Sequence, residues 1–306
     1  MGKRLAGSRG RLAASLGACC FRWTCRLGPA PGGRLGTIRS QVTARSKASA
    51  LPKVLGVMGH PVAHSQSPKL FAQRFEQLGR ADLTYEKFDL PNADDFPAWS
   101  QSHPEVVGLN VTVPHKKSLI PYLSGLSAEA QAVGAVNTLV RTPEGWIGHN
   151  TDVWGFQRSI QPFLAKHHER ALVLGTGGSA AAVHHVLGHL GIDTAGVSRQ
   201  GNSADGKTYA GRPLVGYQEL NGTLLQHHLL VVHCTPVGMS PNTDQMVPFP
   251  VEHLGPRHLV VDLIYTPENT LLLSKARAQG AEVLHGGDML RLQADRAWDI
   301  WAASGV

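Results

Sequence analysis

The sequence predicts an α/β protein made of two strand–helix units in tandem, and three observations predict it. Short apolar runs alternate with amphipathic helical runs from residue 53 to the end of the chain. The pattern falls into two zones, one ending near residue 152 and one beginning near residue 170. The second zone opens with an apolar run, a glycine-rich turn and a helical run. Alternation of this kind implies βαβ units and parallel sheets.

The elements follow in order. Residues 53–59 (KVLGVMG) are short, apolar and closed by glycine, which reads as a strand. Residues 67–79 (SPKLFAQRFEQLG) read as a helix, with Ser67 as N-cap, Pro68 at the first helical position and Gly79 as the stop. Leu70, Phe71, Phe75 and Leu78 recur on one face of it. Residues 83–89 and 107–113 read as strands, and Pro114 ends the second just before a helix. In the second zone ALVLG (171–175) reads as a buried strand, followed by a helix through Leu190 and a strand at 194–198. Further strands are expected at 229–233 and 259–264, and a last helix at 289–301. No internal repeat interrupts this order.

Charge and cysteine divide the chain at about residue 50. The net charge of +7 comes from a leader with ten Lys and Arg and no acid. The remaining nineteen basic residues face twenty-two acidic ones, a net of −3. A nucleic-acid binder needs a basic face, and the body offers none. Cys19, Cys20 and Cys25 lie in the leader, which leaves Cys234 alone in the body and fits a reducing, cytoplasmic setting. No apolar run is long enough to span a bilayer. Residues 1–50 lack the apolar content to fold alone. They read as a disordered leader of transit-peptide type or as non-native sequence upstream of the true start, and the second reading is favoured.

The turn Gly175-Thr176-Gly177-Gly178-Ser179-Ala180 matches G-x-G-x-x-A between a strand and a helix, the setting of a Rossmann dinucleotide site. Glycines there let the backbone approach a diphosphate at the helix N-terminus. At the end of the next strand stand Ser198 and Arg199, with no carboxylate for a ribose 2′-hydroxyl. A guanidinium suits a 2′-phosphate, so the cofactor expected is NADP rather than NAD.

Polar residues gather at strand ends in the first zone: Ser65 and Ser67, Asn110, Thr112 and Lys116, Asn137, and Asn150 with Thr151 and Asp152. Converging hydroxyls, amides, one ammonium and one carboxylate suit a polyhydroxylated acid. Singly, each has a bland alternative as a cap, a turn former or a solvated lysine.

Several segments together resemble the shikimate dehydrogenase family over about 53–301. They are Gly59-His60-Pro61 with His64-Ser65-Gln66-Ser67-Pro68, Asn110 to Lys116, Gly134 to Thr138, Asn150-Thr151-Asp152, the glycine turn, Cys234 to Met239, Asp262 to Pro267, and Met289-Leu290 with Gln293-Ala294. The resemblance implies an N-terminal α/β substrate domain and a Rossmann NADP-binding domain with a cleft between them. It places the substrate domain at 51–152 and 287–306 and the nucleotide domain at 153–286. The implied reaction is the reversible NADPH-dependent reduction of 3-dehydroshikimate to shikimate, on the route to chorismate and aromatic amino acids. Lys116 and Asp152 are then the catalytic pair, with Lys116 as acid/base. Ser65 and Ser67 take the substrate carboxylate, and Thr112, Asn137, Tyr265 and Gln293 take the carboxylate or ring hydroxyls. Gly175, Thr176, Gly177, Gly178, Ser179, Ser198, Arg199, Leu263 and Gly286 line the cofactor site. No metal is implied, and the choice between monomer and homodimer stays open.

Three departures stand out. Gln200-Gly201-Asn202-Ser203 lacks the second cation the family often has after Arg199; His233 stands where asparagine is common; Asp288 stands where glycine is frequent. Two rivals share the fold: a quinate/shikimate dehydrogenase that accepts NAD, and a catalytically silent NADP-binding sensor, which would not need both Lys116 and Asp152. His185 and His189 have a metal-like i, i+4 spacing but no evident third ligand. Cys234 reads as a packed residue, and Trp298 and Trp301 as core or interface.

Overall fold

A computed structural model describes residues 53–209 and 211–306; the leader expected at 1–50 lies outside them. Its first sheet contains β1 (Lys53–Gly59), β2 (Leu83–Asp89), β3 (Val106–Val111), β4 (Gly125–Leu126), β5 (Thr138–Thr142) and β6 (Gly145–His149). Their spatial order is β2-β1-β3-β5-β6-β4. Helices α1 (Ser67–Gln77), α2 (Phe96–Ser102), α3 (His115–Ser118) and α4 (Ala128–Val133) connect them.

This sheet is mixed, where the sequence pattern led us to expect parallel pairing throughout. β1 runs parallel to β2 and β3, whereas β5 runs antiparallel to β3 and β6 antiparallel to β5. β6 turns back on β5 through a hairpin across Pro143-Glu144-Gly145, where Gly145 has φ 127°, a backbone that favours glycine. The reversal has a chemical consequence. Asn110 at the end of β3 pairs with Thr138 at the start of β5, and Thr138 pairs with His149 at the end of β6. The segments at Asn137 and Asn150–Asp152 are thereby brought to the same sheet edge as Lys116.

α1 differs from expectation by one residue. Its N-cap is Gln66, Ser67 is already helical, and no side chain caps the end. The Ser67 hydroxyl is therefore not consumed as a cap, while the Ser67 N–H donates to Ser65 Oγ at 3.3 Å. Gly79, at φ 64°, follows the helix as expected.

The second sheet contains β7 (Arg170–Leu174), β8 (Asp193–Ser198), β9 (Thr208–Tyr209), β10 (Arg212–Gly216), β11 (Leu230–His233), β12 (Leu259–Asp262) and β13 (Glu282–His285). Its order is β13-β12-β11-β7-β8-β10-β9, parallel except for the β9–β10 hairpin. β11 and β12 are buried along their whole length, as strands covered on both faces must be. α5 (Asp152–Ile160), α6 (Gly178–His189), α7 (Gly222–His227) and α8 (Leu271–Ala278) accompany this sheet.

The last helix, α9 (Gly287–Ala303), packs along α5 and returns to the first sheet. Trp301 is fully buried there, and its Nε1–H donates to the Leu139 carbonyl at 2.9 Å. Phe71, Phe75, Tyr85 and Trp298 pack around it. Trp301 is thus core, and Trp298 is half-buried against it.

Candidate active site

The site is assembled at the edge where the β5 reversal brings three segments together. Lys116, on the short helix after β3, donates from Nζ to Asp152 Oδ2 at 2.6 Å and to Ser179 Oγ at 3.0 Å. Asp152 is the first residue of α5, and both side chains are largely shielded from solvent. The second carboxylate oxygen, Oδ1, accepts from Asn137 Nδ2 at 2.8 Å. Asn137 Oδ1 in turn accepts the Thr151 N–H at 2.7 Å. Asp152 is therefore held from one side by an amide and offers its other oxygen to the lysine.

A cavity of about 180 Å³ opens in front of this pair. Ser65, Ser67, Thr112, Asn137, Tyr265 and Gln293 all line it, together with Lys116 and Asp152. The lining also takes in Ser179, Leu263 and Gly286 from the residues expected at the cofactor. Burial pushes the Tyr265 hydroxyl above the ordinary tyrosine value, so it stays protonated. Val57, Val111, Met289 and Leu290 supply apolar walls.

The other expected nucleotide residues lie outside that cavity. Gly175 has φ 114° in the turn after β7. Gly178 begins α6 directly against Lys116: a Cβ there would stand 2.7 Å from Lys116 Cβ. A Cβ on Gly177 would meet nothing within 4 Å. Thr176 completes the turn between them. Open space beside Gly177, at the N-terminus of a twelve-residue helix, fits the diphosphate of a dinucleotide. Ser198 Oγ is occupied in a local turn, accepting from the Gln200 N–H at 3.0 Å. Arg199 is exposed and makes no ion pair among the described residues.

Two groups were not singled out from the sequence as site residues. Buried His233 bonds Asp262 Oδ1 through Nδ1 at 3.0 Å and Thr235 Oγ1 through Nε2. Asp262 also accepts from Thr270 Oγ1 at 2.7 Å. This network sets Thr235 against the glycine turn, its methyl 3.0 Å from where a Cβ on Gly175 would stand. Its sequence signal is a His and an Asp closing two neighbouring apolar strands. The second group is Tyr85, which donates to Asn110 Oδ1 at 2.6 Å and stacks on Phe71. Burial raises its hydroxyl pKa well above the usual tyrosine value.

His189 Nδ1 contacts the His185 carbonyl at 3.1 Å, and among the described residues no three His, Cys, Asp or Glu converge to hold a metal. Burial pushes the Cys234 thiol far above the ordinary range, which removes it as a nucleophile at neutral pH.

Comparison with known proteins decides the family. The model of the shikimate dehydrogenase substrate binding domain matches residues 57–139. The shikimate dehydrogenase (NADP(+)) of Symbiobacterium thermophilum is 37% identical over 277 residues, covering 85% of this chain and 92% of that protein. The chain belongs to the shikimate dehydrogenase family. Among solved members, shikimate 5-dehydrogenase from Thermus thermophilus, in complex with NADP(H) and shikimate, superposes with a TM-score of 0.72 at 30% identity. That match covers 82% of this chain and 94% of the other. Quinate dehydrogenase from Corynebacterium glutamicum, in complex with NAD, superposes with a TM-score of 0.70 at 29% identity, covering 82% and 94%. The two-sheet architecture is that of the family, a substrate-binding part and a Rossmann part. Among the described residues no helix is long and apolar enough to cross a membrane.

Proposed function

We propose that this chain catalyses the reversible reduction of 3-dehydroshikimate to shikimate with NADPH, through Lys116 and Asp152. The observation that carries the reading is the position of Lys116. It reaches Asp152 on one side and Ser179 of the glycine turn on the other. A proton-handling group thus stands where a polar, substrate-sized cavity meets a nucleotide-binding turn.

The residues divide the work as follows. NADPH held at the glycine turn would supply the hydride for the ring carbon at position 3. Lys116 gives a proton to the oxygen on that carbon, and takes it back in the reverse direction. Asp152 holds the ammonium in place and is itself fixed by Asn137. Ser65 and Ser67 hydrogen-bond the carboxylate, and Tyr265, Thr112, Asn137 and Gln293 read the carboxylate and hydroxyls. Gly175 to Ser179 would hold the diphosphate, Ser198 and Arg199 the 2′-phosphate, and Leu263 and Gly286 the nicotinamide side. In this reading residues 51–152 and 287–306 make the substrate domain and 153–286 the nucleotide domain. A cytoplasmic setting is supported by the single cysteine of the body. The oligomeric state is the monomer or homodimer that the sequence leaves open.

A second reading has an observation behind it. Arg199 is a lone, exposed cation, and the solved quinate dehydrogenase carries NAD, so quinate oxidation with NAD⁺ is the alternative. Absorbance at the reduced-nicotinamide band separates the two. The full chain is given shikimate or quinate with NADP⁺ or NAD⁺, and Lys116→Ala is the control. Turnover fastest with shikimate and NADP⁺, and reduced about 10³-fold in the variant, supports the first reading. No turnover in any arm despite NADP⁺ binding overturns it in favour of a silent sensor.

A further inference from the structure

The connection from β8 to β10 is unusual in its build. Parallel neighbours are ordinarily joined through an α-helix. Here the described residues between them hold a 3₁₀ turn at Ser203–Asp205 and β9, with no α-helix. This strap is tied down at both ends. Glu219 accepts from the N–H groups of Ser203 and Gly216, at 3.1 Å and 2.6 Å, and Tyr209 pairs with Arg212 in the β9–β10 hairpin.

The strap delivers Tyr209 to the seam between the two sheets. Tyr209 packs, with Val153, against a cluster formed by Val133 and Ala135 of the first half and Ala181 and Ala182 of α6. Its hydroxyl donates to the Gly177 carbonyl at 2.7 Å. Lys117, the neighbour of Lys116 on α3, donates from Nζ to the same hydroxyl at 2.9 Å and lies 4.7 Å from the ring centroid. Two consecutive lysines of the first half therefore straddle the N-terminus of α6. Lys116 reaches Ser179, and Lys117 reaches Gly177 through Tyr209.

We propose that Lys117 and Tyr209 form a clasp for the diphosphate bridge of the dinucleotide. Tyr209 holds the Gly177 peptide in the orientation that aims the next N–H groups outward, and Lys117 places a cation beside them from across the cleft. The geometry explains why a lysine carrying no acid/base duty is tied to the glycine turn through Tyr209. Partial burial lowers the Lys117 pKa below the ordinary lysine value, while the side chain stays exposed enough to meet an anion. Lys117 also adds a positive charge to a cofactor side that already has Lys116 at Ser179 and the exposed Arg199. The proposal rests on the reading of the chain as an NADP-dependent enzyme, but its test does not depend on turnover.

Calorimetric binding of NADP⁺ to the full chain is the test. Lys117→Met is expected to raise the Kd about tenfold and Tyr209→Phe about threefold, the scale of charged and neutral hydrogen bonds. The double variant should be no worse than Lys117→Met alone, because the two act as one unit. Lys117→Arg should restore most of the affinity, and Lys117→Met should flatten the salt dependence of binding. In turnover the KM for NADP⁺ should move more than kcat or the KM for shikimate. An unchanged Kd in Lys117→Met, additive losses in the double variant, or an undiminished salt dependence each overturn the clasp. Tight NADP⁺ binding with no shikimate oxidation would sink the proposed activity and leave the clasp standing.

Discussion

Under the proposed function the two sheets bind by opposite means. The first presents side chains: an ammonium, a carboxylate, amides and hydroxyls, interlocked around Asn137 and largely buried. The second presents a backbone turn of glycines, with an exposed Arg199 beyond it. The difference follows from what each must hold. A small ring is told from its relatives by its hydroxyl pattern, which needs fixed donors and acceptors. A diphosphate is the same in every dinucleotide, so peptide N–H groups at a helix end suffice. Selectivity on the substrate side should therefore be rigid and costly to disturb, and on the nucleotide side shallow and easily shifted.

The sharpest test of the rigid side is Asn137→Ala. It removes the amide that holds both Asp152 Oδ1 and the Thr151 N–H. With Asp152 held by Lys116 alone, kcat/KM for shikimate should fall about 10²-fold, the scale of an active-site misplacement of about 1 Å. NADP⁺ binding, measured by calorimetry, should change little. Equal losses in both would show that the two sides are not separate.

A smaller effect is expected inside the nucleotide half. His184 on α6 is buried, bonded through Nδ1 to Thr194 Oγ1 at 2.8 Å, and its Nε2 has no partner. Burial pushes its pKa down to about 4. The unfolded chain then takes up a proton near pH 6.5 that the folded chain refuses until about pH 4. Stability is present above that window and is lost as pH falls through it, by about 2 kcal/mol between neutrality and pH 5. Urea unfolding of His184→Gln should show a shallower decline over the same range. An identical slope would move the acid sensitivity to other buried histidines.

Legibility differed between the halves for the same reason as their chemistry. The second sheet announces itself through continuous apolar strands and the glycine turn, and β7, β8, β11 and β12 were all readable to within a residue or two. β9, β10 and β13 were missed because they are short and carry few apolar residues. In the first half the 138–149 hairpin was missed: Thr-Pro-Glu-Gly between two apolar runs is a turn signal, but the surrounding alternation suggested parallel pairing. That one reversal is what gathers Asn137 and Asp152 beside Lys116. The residues themselves were visible as polar types at strand ends and through the family resemblance. Their interlocking was not, because it depends on antiparallel register, which no local pattern encodes. Ser67 carries two readings, helix cap and substrate residue; the helix starts one residue earlier than expected, so the cap reading fails and the hydroxyl lines the cavity as the second reading expects.

The smallest effect expected is at Arg199, and it bears most directly on the contrast. Its guanidinium has no ionic partner among the described residues. Arg199→Met should leave the unfolding midpoint unchanged. It should also leave kcat/KM with NAD⁺ nearly constant, because NAD⁺ has no 2′-phosphate to lose. With NADP⁺, kcat/KM should drop about tenfold, the value of one exposed charge-assisted contact. The ratio of the two is the readout, since a general disturbance of the site would lower both. A ratio that stays fixed would mean that the 2′-phosphate is held elsewhere, and the lone arginine would no longer support a preference for NADP.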